Sequence, residues 1–142
     1  MAPAESHAFE SLDFLYMPSR DVPGDLAFYS AVLDGDVAFA IEAFGARVAQ
    51  VRLSPQEPRL LLADHLEGEA PVLVYRVGDL DAALADLEGR GAAIEARFGI
   101  PHGPCAALRT PGGQRLALYE LTRPEVEERF EGRMDFAPGR AP

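Results

Sequence analysis

Three histidines, one cysteine and a few arginine and tyrosine positions are the groups in this 142-residue chain best equipped for chemistry, and their spacing restricts it. His7, His65 and His102 stand far apart, and no His-x-x-x-His or Glu-x-x-His cluster sets two donors on one turn for a metal. Cys105 follows Pro104 with no histidine at a distance that sequence can justify, so it reads as a small buried hydrophobe rather than a nucleophile. Being single, it also excludes an intrachain disulfide and a cysteine metal cluster. No serine sits in a Gly-x-Ser-x-Gly turn, and Gly112 and Gly113 lack the Lys and Ser or Thr of a phosphate loop. General acid–base work by His65, Glu42 or Tyr16 stays open, but no carboxylate pair is fixed on one face by spacing.

Thirteen Lys or Arg against 23 Asp or Glu give a net charge of -10. Such a surface repels nucleic acid and anionic membranes, favours cationic or neutral partners at long range, and keeps the chain soluble. There is no secretory apolar region and no apolar run approaching ~20 residues. The expectation is a cytoplasmic protein with neither a nucleic-acid nor a membrane partner.

The elements that must position these residues are written twice. Phe14, Asp21 and Leu26 recur 58 positions later as Val72, Asp79 and Leu84. In the first copy, residues 12–17 form an apolar strand stopped by Pro18, and Asp21 caps a helix with Pro23 and Gly24 in its first turn. Leu26, Tyr29 and Leu33 trace its buried stripe up to Asp34 and Gly35. Strands follow at 37–43 and 46–53, joined at Phe44 and Gly45, then at 59–64 after a turn. The second copy repeats the order: a strand at 72–77, then a helix with Leu80, Ala83, Leu84 and Leu87 on one face, ended by Gly89 and Gly91. A strand at 92–97, a loop at 98–104 and a hairpin of 105–109 with 114–121 complete it. The division predicted is a loose arm at 1–10, modules at 11–66 and 67–121, and a C-terminal helix and tail at 122–142, with a helix in 124–131 and a frayed end at 137–142.

In order and spacing, Leu12 to Phe14, Asp21 through Leu26 and Tyr29 to Leu33, Tyr75 to Leu84 with Arg90 and Gly91, and Thr110 to Glu120 resemble the vicinal-oxygen-chelate superfamily. That is the glyoxalase, bleomycin-resistance and extradiol-dioxygenase group. The resemblance implies an α+β fold: paired βαβββ modules forming a curved mixed sheet, a cup around one cavity, commonly in a homodimer. It places the metal-ligand positions of the family at Phe14, Val72, Leu61 and Ala117. None of these side chains carries a donor atom, whereas Zn, Fe, Mn, Ni and Mg sites need several converging N, O or S ligands. Two readings of the four remain, ordinary core packing and the lining of an apolar ligand cavity, and both reject the usual metal.

Strand alternation adds Tyr16 to the face of Phe14, and Val74 and Arg76 to that of Val72, while Arg115 and Tyr119 share a face with Ala117. Leu61, Ala63 and His65 share another, which puts His65 at the rim, and the loop holding His102 can lie over the cavity mouth. Aromatic surface, hydroxyls and guanidinium donors around an apolar site suit a planar or semi-polar molecule. Arg76 and Arg115 either meet a ligand carboxylate or form internal ion pairs with Glu42 or Glu120. The function expected is metal-independent small-molecule binding without a cofactor, directed at an aromatic or cationic compound. The alternative is a lyase, isomerase or dioxygenase of the same superfamily, metal-dependent or cofactor-free.

Overall fold

Asp21 and Asp79 start the helices of the two modules in the same way. Each carboxylate accepts the backbone N–H three residues on, from Gly24 and Ala82, at 3.0 Å in both cases. Each cap thereby satisfies an N–H that the first helical turn leaves free. The computed structural model describes residues 8–43 and 45–139. The predictions for His7 and the start of the arm, for Phe44 in the first hairpin and for residues 140–142 lie outside the described residues.

The order is β1 (Phe9–Pro18), α1 (Val22–Ala27), β2 (Asp36–Ala43), β3 (Ala46–Arg52), β4 (Arg59–Ala63), β5 (Val72–Val77), α2 (Leu80–Gly89), β6 (Ile94–Ile100), β7 (Gly103–Arg109), β8 (Arg115–Glu120) and α3 (Val126–Phe130). The strands make one eight-stranded mixed sheet in the order β2-β3-β4-β1-β5-β8-β7-β6. Its centre is the antiparallel pair of first strands, with Phe14 opposite Val74 and Tyr16 opposite Val72. The last strand of each module runs parallel to its first, which sets Arg59 beside Phe14 and Arg115 beside Val72 at corresponding places. The sequence repeat is therefore a structural one.

The two faces of the sheet have separate cores. On the convex face α1 packs Val22 and Leu26 against Ala49, Val51 and Leu62, and α2 packs Leu80 and Leu84 against Val77, Ala106 and Leu118. Full burial of each leucine contributes about 1.5–3 kcal/mol. On the concave face a single cluster crosses both modules, including Phe14, Phe39, Leu61, Val74, Ala117 and Tyr119. The cup is thus largely packed by its own side chains.

Three sequence expectations are corrected. Phe9 and Glu10, assigned to the arm, belong to β1, where Phe9 lies opposite Val77 and packs on Tyr75 at 5.0 Å. Leu33 is exposed because residues Phe28–Val32 form a π-helical turn, whose wider winding carries the apolar stripe off the sheet. Residues 98–104 are not a loop: β6 runs to Ile100 and β7 starts at Gly103, leaving Pro101 and His102 as the turn.

After β8 the chain crosses the concave face. Phe130 of α3 packs on Phe39 at 5.3 Å. Gly132 and Asp135 then donate backbone N–H groups to the carbonyls of Ala38 and Ala40, and Ala40 donates to the carbonyl of Arg133, which covers the edge of β2. Among the described residues no helix is long and apolar enough to cross a membrane.

Candidate functional site

What the core leaves open in the cup is a cleft of about 140 Å³ near the module junction. Asp13 and Phe14 of β1 line it with Arg76 of β5, Tyr119 of β8, His102 of the β6–β7 turn and Glu127 of α3. Asp13 reaches it because β1 bulges between Leu12 and Phe14, an extra residue that breaks the alternation of faces. Regular alternation would point Asp13 away from Phe14.

The bulged carboxylate is well held. Asp13 accepts the Tyr119 hydroxyl in a buried hydrogen bond and the Ser11 hydroxyl at 2.5 Å, with Arg76 Nε 3.4 Å away. Burial, then the Asp13 contact, pushes the Tyr119 phenol far above its ordinary range, so it stays protonated and donating. Opposite stands His102, only 6% exposed, whose ring lies 5.2 Å from Phe14 and 5.9 Å from Tyr119. Its backbone is fixed from both sides. The His102 carbonyl accepts from the N–H groups of Thr122 and Arg123, and Gly103 at φ +153° lies so close to β8 that an added Cβ would sit 2.1 Å from the Glu120 carbonyl oxygen.

His102 Nε2 donates to Glu127 at 2.8 Å, and Arg59 lies 3.3 Å from the same carboxylate. Burial raises the Glu127 pKa, but the hydrogen bond from His102 and the charges of His102, Arg59 and Arg52 outweigh it and hold the carboxyl below its ordinary value. The cleft therefore combines two proton-bearing pairs, Tyr119 with Asp13 and His102 with Glu127, on an aromatic wall beside guanidinium groups. A wider groove of about 550 Å³ lies at the end of β1 around Ser19, Arg20, Asp64 and Glu69. Its polar groups are paired, Arg20 with Glu69 at 2.6 Å and Asp64 with the backbone N–H of Arg47 at 3.0 Å, and no aromatic ring lines it, which makes the smaller cleft the better candidate.

The residues named from sequence are placed as follows. Phe14, Arg76 and Tyr119 meet at the cleft. Leu61, Val74 and Ala117 lie buried in the cup core, and Tyr16 and Val72 pack at its margin. Burial, with a smaller contribution from Cys105, pushes the Tyr16 phenol up to about 12. His65 is exposed beyond the end of β4, where strand alternation no longer applies, and its ring meets Tyr16 edge-on at 6.0 Å. Arg115 turns outward to the Ala70 carbonyl. Arg76 pairs with Asp13 and Glu10 rather than with Glu42 or Glu120. Glu42 is on the far edge strand beside Arg47, and Glu120 accepts the N–H of Leu80 at the start of α2.

A divalent metal does not fit the family positions. Phe14, Val72, Leu61 and Ala117 offer it no donor, and no three His, Cys, Asp or Glu side chains converge elsewhere among the described residues. Sequence reasoning missed Asp13, Arg59, Glu127 and Gln50. A bulge hid the first, and the next two meet across 68 positions only when the C-terminal segment folds back. Gln50 stands between Arg47 and Arg52 in β3, a polar company that hides its full burial.

No protein-family model matches the sequence, and no curated protein does. Solved structures do match in fold. Methylmalonyl-CoA epimerase from Mycobacterium tuberculosis is 20% identical, with a TM-score of 0.68 over 90% of this chain and 97% of that one. A hypothetical protein from Bacillus halodurans C-125 is 15% identical, with a TM-score of 0.69 over 80% and 95% of the two chains. A variant of Streptomyces coelicolor methylmalonyl-CoA epimerase, in complex with 2-nitronate-propionyl-CoA, is 17% identical, with a TM-score of 0.67 over 80% and 96%. At identities this low the likeness shows the fold alone, paired modules in one curved mixed sheet.

Proposed function

We propose that this chain is a small-molecule-binding protein of the vicinal-oxygen-chelate type that holds its ligand in the cup without a divalent metal. The observation that carries this reading is the replacement of all four ligand positions by donor-free side chains, while the junction beside them keeps a polar cleft backed by Phe14, His102 and Tyr119. Aromatic walls with a few fixed donors suit a planar molecule. The chain acts as a cytoplasmic homodimer in this reading. β6 supports the dimer, being an edge strand with Phe98 45% exposed. Light scattering at micromolar concentration tests it, and a monomer would count against it.

The ligand test is a thermal-shift screen of chelator-treated protein against aromatic natural products, cationic compounds and small 2-oxo acids. A hit should be lost in Arg76→Gln, which removes a cleft donor without opening the core. Phe14 does not serve, since a charge at this 4% exposed position would unfold the protein. One tightly held metal equivalent after chelation, or hits indifferent to Arg76→Gln, would sink the reading.

A second reading, cofactor-free proton transfer, is favoured by the two proton-bearing pairs facing one cleft. Incubation with carbonyl compounds in D2O, followed by proton NMR, tests it. Exchange of an α-hydrogen that is lost in both His102→Gln and Tyr119→Phe would establish catalysis, and no exchange would leave binding alone.

A further inference from the structure

Every buried side-chain polar atom without a hydrogen-bond partner among the described residues belongs to one face of the sheet: Nε2 and Oε1 of Gln50, Nε of Arg52, and Nε of Arg76, which has the ion-pair contacts to Asp13 and Glu10 instead. Gln50 is 0% exposed. Its strand neighbours Ala49 and Val51 pack against α1, so its amide points the other way, into the cup, in register between Phe39 and Leu61. A fully buried amide with both ends unmet is rare in a folded protein and calls for an explanation.

Above this face lies the segment 124–135. Glu131 meets Arg52 through two parallel contacts, Nη1 to Oε1 at 3.3 Å and Nη2 to Oε2 at 3.1 Å, the fork that a guanidinium offers a carboxylate. Glu127 meets Arg59 and His102, and Phe130 lies on Phe39. The segment thus offers the cup two carboxylates and an aromatic ring. Its first part, 124–131, is lightly anchored, since α3 has only five residues, of which Val126 alone is buried, and its ion pairs are partly exposed, whereas 132–135 pair with the edge of β2.

We propose that residues 124–131 are an internal strap seated in the place of the ligand, and that the ligand is an aromatic carboxylate. It displaces the strap by taking over Arg52 and Arg59 and giving Gln50 a hydrogen-bonding partner. This rests on the small-molecule reading and adds the ligand class and the gate. The acidic surface of the chain does not oppose it, because the anion meets guanidinium groups that the strap already neutralises. Strap and ligand compete for one site, so the apparent affinity is the intrinsic affinity reduced by the fraction of molecules with the strap open.

The experiment uses the full chain and three fluorescent probes of one shape: 2-naphthoate, 2-naphthyl phosphate and the uncharged 2-naphthamide. 2-Naphthoate should bind Glu127→Gln/Glu131→Gln and, separately, Phe130→Ala at least tenfold more tightly than the parent, and adding Arg52→Gln to the double variant should weaken that binding at least tenfold. On the parent, saturating 2-naphthoate should speed hydrogen–deuterium exchange in residues 124–131 while β1 and β5 stay protected, a readout that needs no variant. Equal affinity across the variants, or unchanged strap exchange on binding, overturns the strap. Stronger binding of the amide or the phosphate overturns the carboxylate, and no binding of 2-naphthoate to any variant overturns the whole proposal. A compound from the wider screen that binds the cup with the strap still protected would overturn this inference and leave the small-molecule reading intact.

Discussion

The Tyr119 hydroxyl donates to the Asp13 carboxylate across the junction of the two modules, joining residues 106 positions apart. Tyr119 is on the last strand of the second module and Asp13 on the first strand of the first, so the bond ties the halves together inside the cup. It is also where the bulge of β1 is put to use. Asp13 gains a buried donor, and Tyr119 is held in the one protonation state that can donate.

Replacement of this donor gives the first prediction. Tyr119→Phe keeps the ring against Phe14 and His102 but leaves one Asp13 oxygen without its buried donor, which costs about 1–3 kcal/mol. Urea denaturation at neutral pH should show a lower midpoint with an unchanged slope. An unchanged midpoint would mean that water or Arg76 replaces the hydroxyl without loss.

The strap gives stability a pH signature. Glu127 has a folded pKa below its ordinary value of 4.5, so its pairing with His102 and Arg59, helped by the charge of Arg52, stabilises the fold above that value and is lost as pH falls through the folded one. Glu127→Gln should therefore lower the denaturation midpoint at neutral pH, and the gap from the parent should close on acidification below 4.5. A gap that stays constant into acid would show that the carboxylate charge is not what holds the segment.

Cys105 is 3% exposed, and burial, slightly opposed by a backbone hydrogen bond from Ala106, pushes its thiol up to about 12. It should not react with iodoacetamide at pH 8 in the native protein and should react fully in denaturant, because the thiolate is the attacking form. Mass spectrometry before and after unfolding measures this. Rapid native alkylation would show that β7 opens.

Much of the architecture was legible because it rests on local signals written twice: Asp caps, proline and glycine stops, and matching apolar strands. The site was less legible. Alternation placed Phe14, Arg76 and Tyr119 on the cup face, but it assumes an unbroken ladder, and the bulge at Asp13 breaks it. It also assumes that β4 continues past Ala63, whereas His65 lies beyond the strand end and meets only Tyr16 at the margin of the cup. No local pattern says that Glu127 will fold back on Arg59, since that contact depends on where the C-terminal segment docks.

Gln50 supplies the last prediction, in which stability and binding move in opposite directions. Its unmet amide is a cost of about 1–3 kcal/mol that leucine, of similar size, would remove in a pocket already lined by Phe39 and Leu61. Gln50→Leu should therefore raise the thermal midpoint by several degrees, on a scale of about 2–4 °C per kcal/mol for a domain of this class. The same change removes a hydrogen-bonding group aimed into the cup, so any ligand bound there should lose affinity even as the fold gains stability. Such a trade marks a residue kept for function. A Gln50→Leu protein that is less stable would show that the amide already has partners in solution, and a more stable one that binds unchanged would take Gln50 out of the site.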